Sequence, residues 1–430
     1  MHCNPPSQLI AELEHCGLFG PDTPLLGVYD LDVIESRAES LKTAFADTGA
    51  HTEHFFAVKA AAFPDILSIF LSTGIGLEVA SPGELNMALR AGAQVGQVVV
   101  DSPAKSQAEL DTLIELGASV NIDSFAELER FKDRLGGRSY PSPVGLRINP
   151  QTGAGAIEST STATLRSKFG VPVHHPDNYE QILKAYAENR FLTQIHVHTG
   201  SQGNDLDLNA QTISAVTKLA GDINTRLGQQ QITRIDIGGG LSVPHQHTKQ
   251  PETFESYVTH LKEHVPELFD SSYTIMTEFG RALVAEAGFA LARVEYTKVA
   301  GDRHIAITHA GAQLLSRTTF APESWPVDVE VLDNAGTSKD GPPVAQDVAG
   351  PCCFTGDLIA QERYIPRTEP GDILKIHRLG AYYLSSHYRY NELPPPPVVG
   401  YRKTSTGIEF QTLRNPGPDF NALNRTLAST

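Results

Sequence analysis

Short apolar runs alternate with amphipathic stretches over the first two thirds of the chain. Several amphipathic stretches begin with helix-capping residues, as at Ser81–Glu84, Ser106–Glu109 and Ser124–Glu127. The strand-like apolar runs are 55–58, 76–80, 97–100, 119–122, 144–148, 194–198, 234–237 and 273–276. Eight strand–helix units in about 250 residues favour an α/β fold built on a (β/α)8 barrel, although a doubly wound sheet has the same local pattern.

After about residue 285 the pattern changes to strand-like runs separated by Gly- and Pro-rich turns. This change predicts a second, mainly β domain of the Greek-key barrel type. We therefore expect residues 30–284 to form the (β/α)8 barrel, and residues 1–29 together with 285–430 to form the β domain.

The composition narrows the possible partners and compartments. The chain has 430 residues and a net charge of −16, which argues against nucleic acid as a partner because a phosphate backbone requires clustered Lys and Arg. Its four cysteines are Cys3, Cys16, Cys352 and Cys353, without a C-x-x-C pair, as is typical of a reduced protein. No signal-peptide pattern and no apolar run of about 18 residues occurs, so we expect a cytoplasmic protein without a membrane partner.

Residues that could bind a ligand or take part in catalysis lie at the ends of two predicted strands. Lys59 ends the run FFAVKA, where partial burial would lower the pKa of its amine, as a cofactor-binding lysine requires. The alternative is a lysine whose stem covers apolar surface while its ammonium stays in water. His196 and His198 share a strand face in QIHVHTGSQ, which fits a metal pair or two half-buried strand histidines. The turn that follows, ending at Ser201, is typical of a segment that approaches phosphate.

Later segments offer further candidates, each with an ordinary structural alternative. The glycines Gly238–Gly240 could cradle an anion or form a plain tight turn. Glu278 and Arg281, in EFGR, could serve a site or form a surface ion pair. Cys353, in GPCCFTGD, and Tyr382, in GAYYLSSHYRYN, could equally be core residues.

Taken in order, these segments resemble the fold-type III pyridoxal 5′-phosphate (PLP) decarboxylases, the family of diaminopimelate, ornithine and arginine decarboxylases. The matching segments are FAVKA, EVASPGEL, SKFG, HVHTGSQ, DIGGG, EFGR, GPCCFTGD and GAYY…YN, between about residues 25 and 425. The resemblance implies a PLP-dependent carboxy-lyase acting on an amino acid or amino-acid-like group. It also implies a homodimer whose active sites are shared between subunits.

The resemblance also implies a role for each matched residue. Lys59 would bind the cofactor as a Schiff base, Glu278 would keep the pyridine nitrogen protonated, and His198 would stack on the ring. Cys353 would enter from the partner subunit and protonate the carbanion after CO2 leaves. The remaining cofactor contacts would come from Ser201, Gly238, Gly239, Gly240, Gly280, Arg281 and Tyr382.

Departures from the family pattern concern the substrate. Phe354 follows the cysteine where the family carries an acid that receives a distal ammonium, so a diamino acid held by that contact is disfavoured. Arg317 matches an arginine that binds the distal carboxylate in diaminopimelate decarboxylases, and Asp357 is a further candidate substrate contact. A tyrosine of that family is replaced by Ala321.

Two more departures are Ala61, which replaces the asparagine usual after the lysine motif, and Glu78, which stands where aspartate is usual. Together the departures predict a more apolar or more open pocket. We expect a larger or carrier- or peptide-linked amino-acid substrate, of the kind used in siderophore, peptide or antibiotic biosynthesis. Diaminopimelate decarboxylase proper is the alternative with the same chemistry.

Three other classes of function are alternatives to decarboxylation. A racemase on the same barrel is disfavoured by Glu278 and Cys353, and a catalytically silent regulator by the presence of both Lys59 and Cys353. A metal enzyme using His196 and His198 is disfavoured because no third ligand stands at a suitable spacing, so no metal is expected in the site.

Overall fold

The computed structural model describes residues 6–245 and 251–417. The described residues separate into two compact units. The barrel unit comprises residues 35–243 and 251–283. The β unit comprises the described residues up to Ile34, the pair Pro244 and His245, and the residues from Val284 onward.

The strands are β1 (Leu25–Asp30), β2 (His51–Ala57), β3 (Gly76–Val79), β4 (Val98–Asp101), β5 (Ser119–Ile122), β6 (Val144–Asn149), β7 (Val171–Pro172), β8 (Leu192–His196), β9 (Arg234–Asp236), β10 (Thr274–Phe279), β11 (Gly288–Ala300), β12 (Arg303–Thr308), β13 (Val329–Leu332), β14 (Pro343–Ala349), β15 (Leu358–Pro366), β16 (Ile373–Ile376), β17 (Val398–Thr404) and β18 (Gly407–Arg414). The α-helices are α1 (Pro6–His15), α2 (Leu31–Ala46), α3 (Pro64–Ser72), α4 (Pro82–Arg90), α5 (Gln107–Leu116), α6 (Phe125–Leu135), α7 (Asn178–Glu188), α8 (Leu206–Leu227), α9 (Phe254–His264), α10 (Arg281–Val284) and α11 (Ala312–Phe320).

Eight parallel strands close into a barrel in the barrel unit. Their order is β5-β4-β3-β2-β10-β9-β8-β6, and pairing of β6 with β5 completes the ring. Each predicted apolar run overlaps one of these strands, so the barrel is confirmed and the open doubly wound sheet is excluded. The eighth strand is longer than predicted and reaches Phe279, so Glu278 lies within β10 rather than after it.

The predicted helix starts are confirmed. The Oγ atoms of Ser81, Ser106 and Ser124 each accept the backbone N–H three residues later. At α5 the carboxylate of Glu109 also accepts the N–H of Ser106 at 2.7 Å, which completes a capping box. Gly136 ends α6 with a φ of +61°, a conformation that glycine adopts without strain.

A second sheet of nine strands forms the β unit, which confirms its mainly β character. Its main path is β15-β14-β12-β11-β1-β17-β18, and β16 pairs with both β11 and β13. The N-terminal strand β1 lies between β11 (antiparallel) and β17 (parallel). From α1, Ile10 and Leu13 pack into the core of this unit with Leu26 and Leu291.

None of the helices among the described residues is long and apolar enough to cross a bilayer. Cys16, Cys352 and Cys353 are free thiols, and Cys3 lies outside the described residues.

Candidate active site

Lys59 lies directly after β2, in a short 3-10 turn over Val58–Ala60. Its Nζ donates to Oε2 of Glu78, a fully buried residue of the neighbouring strand β3. Parallel pairing aligns Ala57 with Glu78, which brings the two side chains together. Burial raises the pKa of Glu78 and the ammonium of Lys59 opposes that rise. The amine is therefore held by a buried carboxylate at the C-terminal end of a barrel strand.

Glu278 belongs to a buried cluster of acids around His196. The His196 Nε2 lies 3.5 Å from Oε2 of Glu278, and its Nδ1 lies 3.8 Å from Oδ1 of Asp101. Burial, with the negative charges of Glu78 and Asp101, raises the pKa of Glu278 well above its ordinary value. Burial and Glu278 likewise raise the pKa of Asp236 to about 8. A cationic ligand group placed here would lower both pKa values and be bound strongly in return.

Arg147 is a member of the site that the sequence interpretation missed. Only 4% of this β6 residue is exposed, and its Nη1 donates to Oδ2 of Asp101 at 2.9 Å. Its guanidinium lies 4.4 Å from the ring centre of Phe169, in the SKFG segment. Burial alone would raise the pKa of Asp101, but Arg147 and His196 outweigh it and the pKa is lowered. A charged residue inside the apolar run VGLRI was the signal that could have identified it.

His198 follows β8 and contacts the glycine turn after β9. Its Nδ1 accepts the backbone N–H of Gly239 at 3.1 Å, so the ring proton of a neutral imidazole is on Nε2. Burial, then the charges of Arg147 and Lys59, lowers the pKa of His198 well below its usual value. The ring is therefore neutral at physiological pH and presents an uncharged face.

The glycine turn has no room for side chains. A Cβ on Gly239 would lie 2.6 Å from the backbone O of Glu278, and one on Gly240 would lie 2.8 Å from the backbone O of Gly200. Gly238 has a φ of +64°, and a Cβ there would lie 2.5 Å from Nδ1 of His198. Bare backbone of this kind lets an anion approach the turn closely.

Arg281 and Ser201 complete this end of the barrel. The Nε of Arg281 donates to the backbone O of Ser201 at 3.1 Å, which joins the start of α10 to the turn after β8. The strands β8, β9, β10 and β2 are consecutive neighbours in the ring. Because they are parallel, the predicted residues at their C-terminal ends meet at one mouth of the barrel: Lys59, His198, Ser201, Gly238, Gly239, Gly240, Glu278, Gly280 and Arg281.

The other predicted site residues lie in the β unit. Arg317, near the end of α11, has its guanidinium 4.8 Å from the ring centre of Tyr382 and 5.0 Å from that of Trp325. Tyr382 has a φ of +65°, a left-handed conformation that is costly for a tyrosine. Both rings thus make cation–π contacts with the guanidinium of Arg317.

Cys353 is exposed and lies on a loop held by backbone hydrogen bonds. Its N–H donates to Oδ1 of Asn391 at 2.8 Å. Asp357, four residues later, is buried, and its two carboxylate oxygens accept the N–H groups of Ala312 and Cys352, each at 2.6 Å. This arrangement favours a structural role for Asp357, which shapes the cysteine loop, over the predicted contact with substrate.

Phe354 belongs to a cluster of four aromatic rings beside the cysteine. It stacks on Phe320 with ring centres 5.7 Å apart and meets Tyr390 edge-on at 5.2 Å. Tyr388 packs against Phe320 at 5.7 Å and against Tyr390 at 5.9 Å. Phe320 is 61% exposed, so the cluster forms an apolar surface rather than part of the core.

The barrel mouth fits a ligand that combines a phosphate, a carbonyl and an aromatic ring with a basic nitrogen. Glu278 is buried at this mouth, and its carboxylate can accept a hydrogen bond from a protonated ring nitrogen. The glycine turn lets a phosphate approach the backbone closely, with the amide of Gly240 as a donor, since those of Gly238 and Gly239 donate to Asp236 and His198. Lys59 offers an amine to a carbonyl. PLP has these three features.

Comparisons with known proteins agree with this reading. The sequence model described as the pyridoxal binding domain of pyridoxal-dependent decarboxylases matches residues 31–285, more than half of the 430 residues. Diaminopimelate decarboxylase of Pseudomonas aeruginosa is 32% identical over 365 residues, which cover 83% of this chain and 84% of that protein.

Solved structures show the same fold. Diaminopimelate decarboxylase from Helicobacter pylori, complexed with L-lysine, superposes with a TM-score of 0.81 at 24% identity, over 97% of this chain and 100% of that chain. Lysine/ornithine decarboxylase from Vibrio vulnificus, complexed with putrescine, gives a TM-score of 0.74 at 20% identity, over 92% and 97%.

The family match covers the barrel unit that holds the lysine, the buried acids and the glycine turn. When bound, PLP supplies the electron sink that decarboxylation requires, and the chain supplies orientation and electrostatics. The protein thus belongs to the pyridoxal-dependent decarboxylase family and is a PLP-dependent carboxy-lyase.

Proposed function

We propose that this decarboxylase acts on an amino-acid group carried by a larger or conjugated substrate, one with a distal anion and without a distal ammonium. Carrier- or peptide-linked intermediates of siderophore, peptide or antibiotic biosynthesis are substrates of this kind. The observation that carries the proposal is Phe354, whose ring packs into an aromatic cluster beside Cys353.

The aromatic cluster is unsuited to a compact ammonium group next to a carboxylate. An ammonium placed beside Phe354 gains no ion pair there, so a diamino acid loses the charge-assisted hydrogen bond that an acid at this position would give it. Phe354 offers no acceptor, and both oxygens of Asp357 are engaged by backbone N–H groups. The rings of Phe354 and Phe320 instead favour apolar or planar parts of a substrate.

Arg317 supports the second half of the proposal, the distal anion. In the part of the chain that the structure describes, Arg317 has no carboxylate within ion-pair distance, while its guanidinium lies over the rings of Trp325 and Tyr382. Such stacking fixes the plane of the cation, so that it can bind a carboxylate through two parallel hydrogen bonds.

We propose the following roles for the predicted cofactor-binding residues, and the placement of those at the barrel mouth supports them. Lys59 binds the cofactor carbonyl, Glu278 accepts the hydrogen bond of the ring nitrogen, and the neutral imidazole of His198 packs on the ring. The cofactor's phosphate is bound by the Gly238–Gly240 turn. The remaining contacts are Ser201, Gly280, Arg281 and Tyr382.

Cys353 delivers the proton to the substrate carbon that has lost CO2. We propose that it does so across a homodimer, so that the loop of one subunit serves the barrel of its partner. The exposed thiol and the exposed aromatic surface beside it suit a contact with a second chain. The cytoplasmic location stays a prediction.

A CO2-release screen tests the substrate proposal. The purified holoenzyme would be offered diaminopimelate, ornithine, lysine and arginine beside carboxylated conjugates of amino acids. We expect preference for a conjugate, and expect Phe354→Glu to shift the preference toward diaminopimelate by about tenfold or more, the equivalent of one ion-paired hydrogen bond of about 1.4 kcal/mol. Tyr296→Glu, at an exposed tyrosine of β11, is the matched control and should leave the preference unchanged.

Diaminopimelate decarboxylase proper is the second candidate function. It is favoured by the Pseudomonas relative at 32% identity and by the presence of Arg317. Wild-type enzyme that releases CO2 fastest from free diaminopimelate, with no gain in Phe354→Glu, would establish this function and reject the conjugate.

A further inference from the structure

Three potential metal ligands converge where helices α8 and α9 of the barrel unit meet. His260 and His264 lie in the last two turns of α9, and Asp207 lies in the first turn of α8. Their candidate ligand atoms all lie within 4.8 Å of one another. None of the three belongs to the candidate active site. We infer that they form a binding site for a divalent transition-metal ion of the zinc class.

The helix places the two histidines on one face. Residues four apart are neighbours on a helix surface, and a His pair at this spacing is a common zinc-binding arrangement. The imidazole rings of His260 and His264 lie nearly parallel, with centres 4.0 Å apart and planes 22° apart. The two rings therefore lie side by side, and each has a ring nitrogen within 4.8 Å of the other candidate ligand atoms.

A backbone contact sets the tautomer of His264. Its Nδ1 lies 2.9 Å from the backbone O of His260, a distance at which a ring N–H donates to a carbonyl. With the proton on Nδ1, the lone pair is on Nε2, which is the form that binds a metal. Hydrogen bonding of the non-ligating nitrogen is the usual way in which proteins orient a metal-binding imidazole.

The contact between His260 and Asp207 has the distance of an ion pair but not the direction of a hydrogen bond. The His260 Nε2 lies 3.0 Å from Oδ1 of Asp207. Yet this buried nitrogen has no hydrogen-bond partner among the residues that the structure describes. Two atoms that bind one tetrahedral zinc ion at about 2.0–2.2 Å are separated by roughly 3.3 Å. The observed spacing matches two ligands that share a metal.

Two imidazoles and one carboxylate leave a fourth position for water, as in three-ligand zinc sites. Asp207 is 72% exposed at its side chain, so an ion can reach the site from solvent. His264 also ends α9, where the helix carbonyls favour a cation. A bound ion would link α8 to α9 and stabilise the barrel unit, because it binds the folded chain in preference to the unfolded one.

Zinc titration of the full-length holoenzyme tests the site. Protein stripped of metal would be titrated with Zn²⁺ against a chromophoric chelator, for the wild type and for His264→Ala and Asp207→Asn. His175→Ala, at an exposed histidine of the same unit, is the matched control. We expect wild type and control to bind one equivalent that His264→Ala lacks, and Asp207→Asn to bind it at least about tenfold more weakly.

Cobalt(II) substitution gives an independent readout. The wild type should develop the visible absorbance of a four- or five-coordinate ion, and His264→Ala should not. Equal zinc stoichiometry and affinity in all four proteins would overturn the site and leave a protonated His260 paired with Asp207. His264 and Asp207 are exposed, so we expect their variants to fold, and circular dichroism of each variant checks this.

Discussion

Replacing Arg147 by methionine tests how the buried charges of the active site are balanced. The guanidinium binds Oδ2 of Asp101 at 2.9 Å, and its Nε lies 3.9 Å from Oδ1 of Asp123. Methionine replaces the apolar stem of the arginine and lacks its guanidinium, so the substitution removes mainly the charge. It leaves two buried carboxylates without their principal cation.

The expected loss of stability follows from burial. Side-chain exposure is 5% for Arg147 and 7% for Asp101, so water cannot replace the lost partner. Removing one member of a buried ion pair costs about 3–5 kcal/mol. In the variant, burial raises the pKa of Asp101 above its unfolded value, because the largest opposing charge is gone. The folded state then binds more protons than the unfolded state, and stability falls as pH rises through that interval.

Urea unfolding of the holoenzyme, followed by circular dichroism, measures this loss. The midpoint should fall less at about pH 5 than at about pH 8, because protonation of Asp101 relieves the unpaired charge. The double variant Arg147→Met/Asp101→Asn is the control, since it removes both charges. It should be more stable than Arg147→Met alone. A loss below about 1 kcal/mol, or a loss independent of pH, would refute this account of the charge balance.

Two further predictions concern the glycine turn and the other end of the barrel. Gly239→Ala should weaken PLP binding by about tenfold or more in a cofactor titration, because its Cβ would meet the backbone O of Glu278. The control Gly96→Ala places its Cβ in open space and should bind PLP as the wild type does. Equal affinities would contradict the steric argument. Burial, with the charge of Lys42, lowers the pKa of His54 from 6.5 to about 4. The folded state therefore binds fewer protons than the unfolded state, and stability is lost as the pH falls from 6.5 to about 4. The total loss is about 3 kcal/mol. In His54→Gln the urea midpoint should depend less on pH between these values. A pH dependence equal to that of the wild type would contradict the role given to His54.

Most of the fold could be predicted from local sequence patterns. The apolar runs became barrel strands because a parallel barrel buries its strands on both faces, so each strand reads as a continuous apolar segment. The helix starts at Ser106 and Ser124 were readable because a cap depends on residues three apart. The location of Lys59, His198 and Gly238–Gly240 at strand ends was enough to expect them at one mouth of the barrel.

The electrostatics of the site depended on contacts between distant segments. Asp101 and Arg147 are 46 residues apart and meet because β4, β5 and β6 are consecutive in the ring. The pairing of Lys59 with Glu78, and the use of both Asp357 oxygens by backbone amides, likewise follow from strand register and loop path. Local sequence carries no information on how deeply a carboxylate is buried or which charge faces it, and these two quantities set its pKa.

Periodicity and capping act over a few neighbouring residues, so the barrel, its helix boundaries and the residue types at its mouth were encoded in the order of amino acids. Three features could be seen only in the tertiary structure. They are the extension of β10 through Glu278, the ring contacts of Arg317 and the proximity of His260 to Asp207. Each of them requires two remote segments to pack together, and packing is decided by burial and satisfied hydrogen bonds over the whole unit rather than by local preference.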